Sequence, residues 1–209
     1  MKKFVFILSV VLALSAGTKT YAQLTDQDVV IFNAHLLQVL DIVVYSGGVQ
    51  EITFAAAADY TLGVTEAGGI VPGYSEVSVE STVNWDMSIE CPDFLPYAGP
   101  NGAGTGSIPI NNLGVWCEAQ GAFTFGAQVN CAYTTPATSL GLDPAPVPLI
   151  TNNTGNAGDV NENDFRLHWR MGTRDNASMN PATMFDQMQL GIFTAGDYTT
   201  TATLTVDEI

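Results

Sequence analysis

The chain has 209 residues, of which six are Lys or Arg and 21 are Asp or Glu, so its formal net charge is −15. A protein this acidic repels nucleic acid and anionic lipid, and neither is expected as a partner. The length suits one domain with a sizeable core or two small ones.

The N-terminus has the pattern of a secretory signal peptide over residues 1–22. Two lysines precede an apolar run, Phe4–Ala16, and small residues lead up to Gln23. The run is shorter than the about 20 apolar residues that span a bilayer, and no membrane insertion is expected after cleavage. Residues 23–209 would then form a single mature domain without lysine, with a net charge of 3 − 21 = −18.

The next stretch, DVVIFNAHLLQVLDIVVYSG, is apolar on every side. Periodicity therefore does not separate a buried helix from one or two buried strands, although the β-branched residues favour strands. A further strand is predicted in VQEITFAAAADY.

The clearest strand pattern lies in SEVSVESTVNWDMSIEC, where the odd-numbered residues from Val77 to Cys91 share one mostly apolar face. Three more strands are predicted in SIPINNLGVWCE, FTFGAQVNCAY and DFRLHWRMG. Long loops rich in Pro, Gly and Asn lie at 92–107 and 134–163. Short alternating strands joined by turn-rich loops predict an all-β fold, an antiparallel β-sandwich of immunoglobulin-like type.

The chain ends in GDYTTTATLTV, where Tyr198, Thr200, Ala202, Leu204 and Val206 share one face and threonines fill most of the other. This alternation predicts a half-buried closing strand. The segment TAGDYTTTATLTV resembles the closing strand of secreted bacterial pilin-like sandwiches, and is similar to spore coat protein U-type domains and chaperone–usher subunits. The stretch LDIVVYSGGVQEITFAAAADYTLGV also resembles secreted surface β-sandwich proteins of Gram-negative bacteria.

The resemblance implies a non-enzymatic structural subunit of an extracellular filament, coat or adhesive layer at the surface of a Gram-negative bacterium. Its partners would be further copies of itself, and also a glycan or a host or cell surface. Assembly would use strand complementation, in which an extended segment of a neighbour completes a sheet edge. Residues 23–37 are the candidate donor segment, in which Val30, Phe32, Ala34 and Leu36 share one face; alternatively, they form the first strand of their own domain.

Motifs for catalysis are missing from the sequence. It contains neither G-x-S-x-G nor H-E-x-x-H, and its only histidines are His35 and His168. We therefore predict no enzyme activity, no cofactor and no metal site.

A secreted carbohydrate- or calcium-binding adhesion module is the alternative function. Long loops such as 92–107 and 134–163 are often functional. Within the second, GDVNEND supplies the first three ligand positions of a calcium loop, but Asp164 and Arg170 stand where Gly and Glu are required. An ordinary Asn/Asp-rich turn is therefore favoured for this segment. The candidate stacking platforms for a sugar are Trp116, Tyr97 and Tyr133.

Three cysteines in a secreted chain imply one disulfide and one remaining thiol. We predict that Cys91 pairs with Cys131 and that Cys117 stays reduced. In an antiparallel meander with a tight turn near Gln120, Cys131 would lie about 23 Å along the strand from Cys117. That distance is too long for a disulfide, which spans a Cα separation of at most ~7 Å.

The positive charge of the predicted mature chain is confined to nine residues. Arg166 and Arg170 share the outward face of their strand with His168, and Arg174 follows just beyond it. These three arginines are either paired with carboxylates of neighbouring strands, which is the favoured interpretation, or form a docking stripe for an acidic partner.

Overall fold

The computed structural model describes residues 36–92, 94–97, 105–174 and 178–209. Within these ranges the chain is mostly antiparallel β-strand with little helix, as the all-β prediction expects. The strands are β1 Leu40–Ser46, β2 Glu51–Ile52, β3 Val64–Thr65, β4 Ile70–Val71, β5 Tyr74–Ser81, β6 Trp85–Glu90, β7 Phe94–Pro96, β8 Ser107–Pro109, β9 Leu113–Ala119, β10 Val129–Asn130, β11 Leu140–Gly141, β12 Val147–Asn152, β13 Asp164–Met171 and β14 Thr203–Glu208. The helices are α1 Ala57–Leu62 and α2 Met184–Gln189, with short 3-10 turns at Ile110–Asn112 and Pro136–Thr138.

Two sheets carry the fold. The first sheet has the order β1-β5-β13-β9-β11, with β3 also paired to β13. The second sheet has the order β10-β12-β6-β14. Two small ribbons, β2 with β4 and β7 with β8, complete the sandwich-like arrangement.

The long alternating segment after residue 75 is two strands rather than one. β5 belongs to the first sheet and β6 to the second, and the chain crosses between them at Thr82–Asn84. Alternation survives the crossing, because Val77 and Val79 in β5 and Met87 and Ile89 in β6 are all buried. Both strands therefore turn their odd-numbered residues into the same core.

The core lies between the sheets and is centred on aromatic side chains. Trp85 of β6 and Phe165 of β13 are fully buried and meet edge to face, with ring centroids 6.1 Å apart. Phe125 also stacks with Phe165, with ring centroids 6.0 Å apart. Aromatic pairs in these arrangements add stabilisation beyond the area they bury.

Several predicted boundaries are wrong. The last four residues of the predicted strand VQEITFAAAADY lie in α1, in keeping with the high helix propensity of alanine. The predicted loop 134–163 contains β11 and β12, although Pro148 lies inside β12 next to a register shift. The predicted strand FTFGAQVNCAY keeps only β10 as regular strand.

The two helices are six residues long each, and no helix among the described residues is long and apolar enough to cross a membrane.

Candidate functional site

The two sheets have edge strands that meet on one side of the sandwich. β1 ends the first sheet and β14 ends the second, so each pairs with a single neighbour among the described strands. We call this side, formed by β1 and β14, the open side. The opposite side, formed by β11 and β10 with the chain around them, is the closed side.

Burial falls steadily toward the open side. Phe165 and Leu167 in the central strand β13 are completely buried. Val44 of β1 lies opposite Val77 in the ladder and so faces the interior, yet 44% of it is exposed. Leu204 of β14 is only half-buried, although it lies opposite the buried Ile89. The inner faces of both edge strands are therefore incompletely covered.

A groove of about 950 Å³ lies between the sheets on the open side. Its walls include Val44 from β1, Trp169 from β13 and Leu204 from β14. The segments 47–54 and 193–202 form much of its rim. β13, α2 and the ribbon of β7 and β8 also contribute, whereas Leu204 is the one residue of the second sheet among the described lining residues.

The two edge strands of the open side are linked at one end. Near the start of β1, the Gln38 side chain donates to the carboxylate of Glu208 at 3.4 Å, which links the two edges there. At the other end of β1 the ladder contains a register shift between Val44 and Ser46. Bulges of this kind are common on edge strands, where they terminate pairing.

The predicted donor segment lies almost wholly outside the described residues. Val30, Phe32 and Ala34 are not described, and nothing in the structure bears on their role. Leu36 is described and is 90% exposed. The chain enters β1 shortly after this segment. The strand β1 confirms strand structure for residues 40–46 of the apolar stretch that periodicity left ambiguous.

The arginines do not form an exposed stripe. Arg166 donates to Glu76 of β5 at 3.0 Å and lies over the ring of Tyr74. Arg170 is only 4% exposed, and its guanidinium donates to the carbonyl of Pro136 and to the Ser139 hydroxyl. Arg174 is exposed beyond the end of β13. Arg166 therefore has the carboxylate partner of the favoured interpretation, and Arg170 is covered by the loop at Pro136 and Ser139.

His168 lies between the two arginines of the strand and is also engaged locally. Its Nδ1 is 2.8 Å from Glu66 and its Nε2 is 3.1 Å from Glu118. Both ring nitrogens can donate together only in the imidazolium form. The ring stacks on Trp116 with centroids 3.8 Å apart, which covers one face of a predicted sugar platform.

The predicted disulfide pair is not brought together. All three cysteines are free thiols in the structure. Cys91 directly follows β6 and Cys131 directly follows β10, and β12 lies between these strands. Two strand spacings amount to about 9–10 Å, more than the ~7 Å Cα separation that a disulfide spans. The predicted meander is wrong because β9 and β10 belong to different sheets.

The other predicted binding residues have structural contacts of their own. In the segment GDVNEND, the carboxylate of Asp159 accepts from the backbone and side-chain amides of Asn161. No cluster of three or more metal-ligating side chains lies among the described residues. Tyr97 meets Tyr198 edge to face at 5.9 Å.

Comparison of the chain with protein-family models and with curated proteins finds no match.

The groove itself was missed by the sequence analysis. Its wall residues Trp169 and Leu204 carry the ordinary inward-facing signal of a strand. One feature of the sequence does relate to the groove. Ala202 and the threonines near β14 are small, so they cover less of the apolar interior than the large side chains of central strands do. That signal indicates partial burial but does not locate a cleft.

Proposed function

We propose that the protein is a structural subunit of an extracellular filament, coat or adhesive layer, and that it assembles by β-strand complementation. The observation that carries the proposal is the groove on the open side, where the inward-facing Val44 of β1 and Leu204 of β14 are incompletely covered. An extended apolar segment laid along it would bury these side chains and pair with the edge of β1 or β14 that has no partner among the described strands.

The donor we propose is the segment 23–37 of a neighbouring copy, and above all residues 29–36. Eight extended residues span about 26 Å, close to the about 23 Å of the seven-residue β1. The alternating side chains Val30, Phe32, Ala34 and Leu36 provide one continuous apolar face.

Charge also favours this donor. The chain as a whole is strongly acidic, and two copies repel each other at long range. The segment VVIFNAHL contains no Asp, Glu, Lys or Arg, so its insertion brings no like charge to the partner. Salt that screens the remaining repulsion should favour assembly.

The glycan- or calcium-binding alternative has weaker support. One face of Trp116 is already covered by His168, and Asp159 is engaged within its own turn. An enzymatic role has no catalytic motif to support it.

Replacing Phe32 with Asp tests the proposal. A carboxylate in the dry groove would lack a partner, and an unpaired buried charge is strongly unfavourable. We expect a folded monomer, with unchanged β-sheet circular dichroism, that forms no polymer by electron microscopy.

Asn33→Asp is the matched control, because it adds the same carboxylate on the opposite face of the segment. It should fold and assemble like the original chain. Loss of the β signal in the Phe32→Asp variant would make the segment a core strand of its own domain. Undiminished polymer would remove residues 29–36 from assembly altogether.

A further inference from the structure

The closed side of the sandwich brings two cysteines from different sheets together. Cys117 is in β9 of the first sheet, opposite Leu167, and is completely buried. Cys131 directly follows β10 of the second sheet and is half-buried. After Cys131 the chain returns to β9, where the amide of Cys117 donates to the carbonyl of Tyr133 at 2.6 Å.

The backbone of Tyr133 contacts both cysteines and so holds them next to each other. The sulfur of Cys131 also accepts from the amide of Tyr133, with a nitrogen–sulfur distance of 3.4 Å. Cys131 therefore has a backbone donor directed at its sulfur, whereas Cys117 is enclosed by the core. These surroundings give the two sulfurs different reactivity.

The hydrogen bond from Cys117, helped by that from the Tyr133 amide, lowers the pKa of the Cys131 thiol despite its partial burial. Burial raises the pKa of Cys117 well above its usual value. The thiolate is the reactive form of cysteine in disulfide exchange. Cys131, which is also the more accessible of the two, is thus the sulfur that reacts first.

We propose that Cys117 and Cys131 form an intrachain disulfide that joins the two sheets on the closed side, while Cys91 remains a thiol. This inference does not depend on the proposed assembly, since both cysteines lie away from the groove.

The oxidant is an external disulfide, such as glutathione disulfide or the disulfide of a thiol oxidoreductase. The Cys131 thiolate attacks one of its sulfurs, forming a mixed disulfide and releasing one thiolate. Cys117 then loses its proton and attacks the Cys131 sulfur, which releases the second thiolate. Two protein thiols are oxidised to one disulfide, and one external disulfide is reduced to two thiols.

Cys91 is left out of this reaction by its position. It is 2% exposed, and its sulfur lies 3.4 Å from both the hydroxyl of Thr200 and the carbonyl of Thr201. Burial raises the pKa of this thiol, which further disfavours its thiolate.

Peptide mapping of the full chain after incubation with glutathione disulfide tests the proposal. Glu90, Asp93 and Glu118 allow cleavage after acidic residues to separate the cysteines. Cys91 falls in peptide 91–93, Cys117 in 94–118 and Cys131 in the peptide that begins at residue 119. Alkylation in denaturant before digestion marks the free thiol.

We expect a bridge between the second and third peptides, loss of two hydrogen atoms from the intact mass, and alkylation of Cys91 alone. The Cys91→Ser variant should keep the bridge, and Cys131→Ser should lose it. A bridge to peptide 91–93, a dimer linked through Cys131, or three alkylated thiols after oxidation would each overturn the proposal.

Discussion

The open and closed sides of the sandwich differ in how far the rest of the protein covers their apolar, inward-facing side chains. On the closed side, Leu140 of β11 is 5% exposed and Leu142 is 2% exposed, and the chain around 131–139 packs along β9. On the open side, the inward-facing Val44 is 44% exposed and Leu204 is half-buried. An apolar inner face therefore does not ensure burial, because burial also requires a layer opposite to it.

The difference also concerns polar contacts. The closed side is held by Arg170, whose guanidinium binds the loop at Pro136 and Ser139. The open side is held by exposed contacts such as that between Tyr45 and Asp164. We therefore expect the closed side to carry more of the folding free energy, and the open side to be free to accept a further strand.

The largest effect should come from a matched pair of leucine truncations. Leu140→Ala on the closed side removes a fully enclosed side chain and should lower the free energy of unfolding by about 2–5 kcal/mol. Leu204→Ala on the open side removes a half-buried one and should cost about half as much. Chemical denaturation of the monomer measures both. Equal losses would mean that the two sides do not differ in packing.

A pair of arginine substitutions gives the next largest effect. Arg170→Ala removes the guanidinium that donates to the buried Ser139 hydroxyl and should cost about 2 kcal/mol of unfolding free energy. Arg166 is one-third exposed, so Arg166→Ala should cost less than about 1 kcal/mol. The same denaturation experiment compares them. A greater loss at Arg166 would contradict this ordering of the two sites.

The smallest effect is expected at the rim of the open side. The Tyr45 hydroxyl donates to Asp164 at 2.6 Å, which fastens the exposed end of β1 to β13. Tyr45→Phe should lower the free energy of unfolding by about 0.5–1 kcal/mol. Amide hydrogen exchange should speed up in β1 and stay unchanged in β9. Equal acceleration in both strands would show that β1 does not open separately from the rest of the sheet.

The sequence predicts some strands at their observed positions and misses others. The β13 pattern in DFRLHWRMG was correct because one face, including Phe165 and Leu167, is fully buried. β12 was missed because the prolines around VPLITN indicate a loop, although the strand tolerates Pro148 beside an irregularity. The closing strand was predicted from residue 196 and begins as a regular strand only at Thr203.

The sequence by itself determined which residues face inward, since side-chain direction alternates with a period of two and is a local property. From Tyr198 to Val206 every even-numbered residue is half-buried and every odd-numbered one exposed, as the threonine pattern predicts. The tertiary structure alone decided which sheet each strand joins. The crossing at Thr82–Asn84 preserves the alternation, so no sequence period reveals it. The arrangement of the strands brings the chain after Cys131 back to Cys117 rather than to Cys91. It also buries Arg170 under a loop and leaves the groove on the open side. All three outcomes depend on contacts between residues distant in sequence.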